Sequence, residues 1–176
     1  MARIVLVGFP GTGKSTVGKV LARKMGLQFL DSDQEFESHY RTSISIFLQK
    51  FGEELFRKYE NEILQKLLQE DNIVLATGGG TPCFHDAMSL INEKATSVYV
   101  KLSKESLFIR LTQAKKRRPL VEKSNPEELK DYIENALKVR EPIYQQAHIV
   151  AKGESIDIDA LVKRLVSYPK DLCTKS

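Results

Sequence analysis

The chain has no tryptophan, two cysteines and three histidines among its 176 residues. Each scarcity excludes something. Cys83 and Cys173 lie far apart in sequence and lack CxxC spacing, so neither a disulfide framework nor a thiolate metal site is expected. Both read as free thiols in a reducing compartment. His39, His85 and His148 show no ligand-like spacing, which leaves no structural metal indicated. No apolar run approaches the roughly 18 residues of a membrane span, and the first ten residues already read as a strand and the start of a loop, with no room for a signal peptide. A cytoplasmic protein without a membrane partner is the expectation. No internal repeat, low-complexity tract or linker-like stretch interrupts the sequence. A single domain over residues 1–176 is the simplest division, long enough to bury a core.

Charge is also not strongly one-sided: 27 Lys and Arg against 23 Asp and Glu give a net charge of +4. A nucleic-acid surface would need a basic stripe with interleaved aromatics. The densest basic cluster here is instead one short segment, Lys115-Lys116-Arg117-Arg118. A phosphorylated small ligand explains it with less assumption, and no nucleic-acid partner is expected. The absence of a large unexplained apolar patch makes a monomer the default.

Short apolar runs at residues 4–7, 29–30, 73–76, 98–102 and 148–151 read as strands. Amphipathic segments at 14–25, 44–70, 87–93, 104–112, 126–146 and 158–167 read as helices. Within the longest of these, Leu55, Phe56, Tyr59, Ile63, Leu67 and Leu68 recur at three- and four-residue steps, marking one buried face. Asn125-Pro126-Glu127-Glu128 supplies an N-cap, a proline at the first helical position and acids in the first turn. Strands alternating with helices predict an α/β fold around a parallel sheet. Ligands of such sheets bind at the carboxyl ends of the strands, so function is sought in the polar residues just after each one. The segment 114–125 is charged, broken by proline and aperiodic, and reads as a surface loop long enough to be a lid.

After the first strand stands Gly8-Phe9-Pro10-Gly11-Thr12-Gly13-Lys14-Ser15, a complete GxxxxGK[ST] phosphate-binding loop between an apolar run and a helix-forming stretch. Ordinary residue usage produces such a match by chance roughly once per 20,000 positions, so a chance match in a chain this short is improbable. The glycines let the backbone curl its N–H groups inward at a phosphate. Lys14 reaches the outer phosphates, the Ser15 hydroxyl is suited to Mg²⁺, and the helix N-terminus adds its positive end. The chain is expected to bind a nucleoside triphosphate.

After the second strand comes Asp31-Ser32-Asp33. Beside a triphosphate site, one carboxylate suits Mg²⁺, and the other suits a substrate hydroxyl as acceptor of a hydrogen bond or proton. Alone, the same tripeptide is an ordinary helix start. After the third strand comes Thr77-Gly78-Gly79-Gly80-Thr81-Pro82, where a ligand could press directly on backbone N–H groups. Arg57 and Arg140 cannot be chosen by pattern alone. Arg57 with Glu60 also reads as a surface i,i+3 pair, although arginine's planar fork is the favoured grip for a carboxylate.

Taken in order, Gly8–Ser15, Asp31-Ser32-Asp33, Phe56-Arg57…Glu60, Gly78-Gly79-Gly80, Arg118-Pro119-Leu120 and Arg140…Tyr144…Ala147 give the chain a motif set that resembles the shikimate kinase family along nearly its whole length. The resemblance implies a three-layer fold of the nucleoside monophosphate kinase type. In it a five-stranded parallel sheet is flanked by helices, with a helical substrate-binding region at about 32–61 and a mobile lid at about 112–125. It implies ATP-dependent phosphorylation of the 3-hydroxyl of shikimate, with Mg²⁺ as cofactor. Asp33 would bind the reacting ring hydroxyls. Arg57 and Arg140 would hold the shikimate carboxylate, and the backbone of Gly78, Gly79 and Gly80 would line the pocket. Gly11, Thr12, Gly13, Lys14, Ser15 and Thr16 would cradle ATP, with Arg110 packing on adenine and Arg118 on the lid contacting the phosphates. Ser15 and Asp31 would organise the metal, and Lys14, Asp33 and Arg118 would carry the chemistry.

Two stretches depart from the family pattern. The lid approach, Gln113 to Arg118, lacks the glycines often found there, which makes Arg117 a rival to Arg118, although the following Pro-Leu favours Arg118. The expected adenine loop near residues 152–155 carries no motif. The competing readings are another small-acid kinase, such as a gluconate kinase, and a catalytically silent nucleotide-binding relative.

Overall fold

A computed structural model describes residues 2–113 and 125–169. Its five strands are β1 (Arg3–Val7), β2 (Gln28–Asp31), β3 (Ile73–Ala76), β4 (Thr96–Lys101) and β5 (Ile149–Lys152). They form one sheet in the order β2-β3-β1-β4-β5, and every pairing is parallel. Parallel strands need crossovers and lie covered on both faces, so they read as unbroken apolar runs. Residues 4–7 and 73–76 are buried throughout. From β1 the chain crosses to β2, beyond β3, whereas β4 and β5 lie on β1's other side. This reversal opens a crevice at the carboxyl ends of the central strands.

Seven α-helices among the described residues complete the layers: α1 (Lys14–Met25), α2 (Ser32–Tyr40), α3 (Ile44–Leu67), α4 (Ala87–Lys94), α5 (Lys104–Gln113), α6 (Pro126–Tyr144) and α7 (Ile158–Ser167). Two apolar clusters lie among the described residues. The larger joins Val5, Val7, Leu75 and Tyr99 to residues of α2 through α6. The smaller joins Leu6, Val74, Val98 and Val100 to Leu21 and Ala22 of α1 and Leu161 and Leu165 of α7. Alternation along the strands sends neighbouring side chains to opposite clusters, giving three layers. No helix among the described residues is long and apolar enough to cross a membrane.

Asn125 and Glu128 form the reciprocal capping box at the start of α6. Two features depart from the periodicity. Helix α2 occupies a stretch where no amphipathic segment is evident, because it shows only Phe36 as a buried apolar residue. It is started by Asp31, whose Oδ1 accepts from the Asp33 and Gln34 N–H groups at 3.1 and 3.4 Å. The expected continuous helix from Ile44 is broken at Gly52, where φ 81° and ψ 171° lie outside helical space. Glycine tolerates that conformation because it has no Cβ.

Candidate active site

The loop between β1 and α1 is built from backbone. Gly13 caps α1 at φ 89° without any side-chain cap, leaving the first-turn N–H groups of Ser15 and exposed Thr16 aimed outward, an arrangement suited to an anion. Gly11 also has a positive φ, 88°. Buried Thr12 closes the loop, its N–H and Oγ1 donating to the Phe9 carbonyl at 3.3 and 3.0 Å. Lys14 is buried, its Nζ donating to the carbonyls of Gly8 and Phe9 at 2.8 and 3.0 Å. Its ammonium is thereby held over the loop. Ser15 Oγ donates to Asp31 Oδ2 at 2.6 Å. Asp31 therefore divides its labour, one oxygen starting α2 and the other meeting the phosphate loop.

Ser15 and Asp31 are hard oxygen donors of the kind Mg²⁺ takes, and Mg²⁺ usually combines one or two protein oxygens with phosphate oxygens and water. Among the described residues no group of three or more His, Cys, Asp and Glu gathers to hold a metal ion. The donor set thus fits a cation that arrives with a phosphate ligand and does not fit an all-protein cage.

The three glycines after β3 touch three different parts of the molecule. A Cβ on Gly78 would stand 2.6 Å from Asp33 Oδ1, one on Gly79 would stand 2.4 Å from Pro10 of the phosphate loop, and one on Gly80 would stand 2.7 Å from both Nη atoms of Arg57. At such separations a Cβ would force its neighbour to shift, least easily at Gly79 against the Pro10 ring and backbone, so the turn packs closely on all three. Ser32 Oγ accepts from the Gly78 N–H at 3.0 Å, and the Tyr144 hydroxyl donates to the Gly79 carbonyl. Burial raises the Tyr144 pKa, with Cys83 beside it adding to the rise, so the hydroxyl stays protonated and can donate. Cys83 is a free thiol, its pKa raised by burial.

Arg57 is not the solvated pair that i,i+3 spacing suggests. Its Nη1 donates to Glu60 Oε2 at 2.8 Å, while Nε and Nη2 donate to Glu53 Oε1 at 3.2 and 3.0 Å. The Arg57 and Glu60 side chains are 15% and 7% exposed, so this pair sits largely out of water. Burial works against the guanidinium charge, but Glu60 and then Glu53 outweigh it, and its pKa is raised. Glu60 Oε1 in turn accepts from Thr81 Oγ1 at 2.7 Å, tying the arginine's partner to the residue after the glycines.

Arg140 and Tyr144 are four apart on α6 and share one face. The Arg140 guanidinium carbon lies 5.8 Å from the centre of the Phe9 ring, in the phosphate loop. Asp33, Arg57, Gly78, Gly79, Gly80 and Arg140 are thus brought to one wall beside that loop. Arg110 lies at the loop's other end: Nη1 donates to the Thr12 carbonyl at 3.3 Å and Nη2 to the Glu154 carbonyl at 3.0 Å. That contact joins the phosphate loop to the motif-less stretch after β5. Arg117, Arg118 and most of the expected lid lie outside the described residues.

Sequence reasoning gave Glu60, Ser32, Thr81, Tyr144 and Glu154 no role of their own. A signal existed for one. Phe56, Glu60, Ile63 and Leu67 fall at steps of four, three and four, so Glu60 is a charge within the apolar stripe, and all four are buried. A buried carboxylate needs a partner. The others become visible only when distant segments meet.

The family model for shikimate kinase matches residues 10–168. A shikimate kinase of Azobacteroides pseudotrichonymphae is 42% identical over 167 residues, spanning 94% of this chain and 98% of that protein. The crystal structure of shikimate kinase from Bacteroides thetaiotaomicron is similar at a TM-score of 0.87 and 35% identity, over 93% of this chain and 96% of that one. Shikimate kinase from Acinetobacter baumannii, solved in complex with shikimate, gives 0.82 and 33%, over 94% and 91%. With loop, glycine turn and arginine wall arranged as above, this chain belongs to the shikimate kinase family.

Proposed function

We propose that this protein transfers the γ-phosphoryl group of ATP to the 3-hydroxyl of shikimate, releasing ADP and shikimate 3-phosphate. The observation that carries the reading is the glycine turn, whose consecutive residues abut Asp33, the phosphate loop and Arg57. An acceptor whose carboxylate lies on Arg57 and whose hydroxyl lies on Asp33 would be held within one turn of the nucleotide's phosphates. Phosphoryl transfer depends on positioning and charge neutralisation more than on covalent help from the protein.

In this reading Arg57 and Arg140 grip the acid, with charge-assisted hydrogen bonds contributing about 1.5–3 kcal/mol each. The backbone of Gly78, Gly79 and Gly80 lines the pocket. Asp33 accepts a hydrogen bond from the 3-hydroxyl, orients its lone pair and takes its proton as the new O–P bond forms and the bridging bond to ADP breaks. Gly11, Thr12, Gly13, Ser15 and Thr16 cradle the phosphates, Lys14 carries positive charge to the transferring group, and Arg110 packs on the adenine. Ser15 and Asp31 would hold Mg²⁺, which when bound would neutralise charge on the phosphates. Arg118 supplies a further positive charge to the transferring group. The enzyme works as a cytoplasmic monomer.

The test is a coupled ADP-release assay with Mg²⁺-ATP, comparing shikimate, gluconate and no acceptor. Stimulation by shikimate alone is expected. Stimulation by gluconate would overturn the acceptor assignment, and nucleotide binding without stimulated release would make the chain a silent binding module.

A further inference from the structure

Phe84 is unexplained by the core. It is 38% exposed and belongs to neither apolar cluster. The Arg57 guanidinium carbon nevertheless lies 4.3 Å from the centre of its ring, closer than the 5.0 Å to Phe56, which is buried among the aromatics of α2 and α3. The turn that carries Phe84 breaks local rules. His85 and Asp86 both have φ 53°, and the Ala87 N–H closes the turn on the Phe84 carbonyl at 3.0 Å. Left-handed conformations are uncommon outside glycine. Asp86 is also the N-cap of α4, yet it is not extended and makes no side-chain cap, although aspartate is a favoured capping residue. Local stability is given up where the chain presents a half-exposed ring to one arginine.

We infer that Phe84 is a positioning residue that fixes the plane of the Arg57 guanidinium for the acceptor's carboxylate. This rests on Arg57 being the group that grips that carboxylate. Glu53 and Glu60 hold the edges of the guanidinium, which sets its place but leaves it able to tilt about those bonds. A ring lying under the guanidinium, with its centre 4.3 Å from the guanidinium carbon, blocks the tilt. Two parallel hydrogen bonds to a carboxylate require coplanarity, so the ring adds to acid binding without touching the acid. A cation over a ring is favourable in itself, and the fixed plane removes freedom that binding would otherwise have to freeze.

The experiment is steady-state kinetics on Phe84→Leu, which keeps apolar bulk but loses the ring face, and Phe84→Tyr, which keeps the ring. Both are also made in an Arg57→Ala background, and thermal midpoints are recorded. Phe84→Leu is expected to raise KM for shikimate about five-fold, with kcat and KM for ATP unchanged and the midpoint close to wild type. Phe84→Tyr is expected within about two-fold of wild type, and Phe84→Leu is expected to add nothing when Arg57 is absent. An unchanged KM in Phe84→Leu overturns the inference, as does the same loss persisting without Arg57. A fall in kcat, ATP affinity and midpoint together would make Phe84 merely structural. If shikimate fails to stimulate ADP release by the wild-type protein, the acceptor reading itself falls, and this inference with it.

Discussion

The phosphate loop and the wall facing it are built by opposite means. The loop is eight consecutive residues whose own backbone makes the site, with Gly11 and Gly13 at positive φ and the Thr12 and Lys14 side chains bonded to its carbonyls. The wall draws Asp33 from α2, Arg57 and Glu60 from α3, the glycines after β3, and Arg140 and Tyr144 from α6. Its geometry is held by side chains: Thr81 on Glu60, Glu60 on Arg57, Tyr144 on Gly79. A site made of contiguous backbone tolerates change wherever the backbone path survives. A site made of meeting side chains propagates each change to its neighbours. The two touch at Gly79 against Pro10 and at Arg140 near Phe9.

The largest expected effect separates chemistry from binding on the wall. Asp33→Asn should lower kcat by about 100-fold or more while leaving the fold intact, read from turnover and circular dichroism on the same sample. Wild-type turnover in the variant would remove Asp33 from the mechanism. Glu60→Gln should show the wall's dependence on linked side chains. Removing one partner of a buried ion pair costs up to about 3–5 kcal/mol. Glu53 remains as a second partner for Arg57, so about 2 kcal/mol is expected, a fall of roughly 4–8 °C in the midpoint. An unchanged midpoint would mean that Glu60 is not holding Arg57.

The glycine turn sharpens the comparison further. Gly80→Ala puts a methyl group where Arg57 lies and should raise KM for shikimate by about ten-fold while sparing ATP. Gly11→Ala imposes strain at φ 88° and should do the reverse. Gly79→Ala, pressed against Pro10, should raise both. Identical profiles for Gly79→Ala and Gly80→Ala would contradict the idea that Gly79, among the three glycines, is the one that joins the wall to the loop.

The smallest effect lies away from both regions. Burial holds the His148 pKa below its ordinary value of 6.5, and its Nδ1 accepts from the Ser97 N–H at 3.2 Å. The unfolded chain therefore takes up this proton at a higher pH than the folded one. Stability from the neutral ring is present above pH 6.5 and lost as pH falls below it. Urea midpoints at pH 7 and pH 5 should differ less for His148→Asn than for wild type. Equal differences would show that His148 does not couple to folding.

The same contrast explains what could be read from the sequence. The loop and the five strands announce themselves through contiguous patterns, and the strand positions agree with the structure to within two residues at either end. The Asn125–Glu128 cap could also be read, because both partners are near in sequence. Helix α2 shows no amphipathic stripe because Asp31 starts it and Phe36 is its one buried apolar anchor. The break at Gly52 depends on one residue inside an otherwise regular stripe. On the wall, Arg57 could be named only through the family motif, since its spacing to Glu60 fits a solvated pair equally well. Phe84, Tyr144 and Thr81 gain meaning only when segments from different strands and helices come into contact.

The central claim is that acid binding belongs to the wall and triphosphate binding to the loop. Its most direct test is Arg57→Ala under saturating conditions for each substrate in turn. KM for shikimate is expected to rise about 10- to 100-fold, the worth of about one charge-assisted hydrogen bond, while KM for ATP stays within about two-fold. Equal losses for both substrates, or none for shikimate, would contradict it.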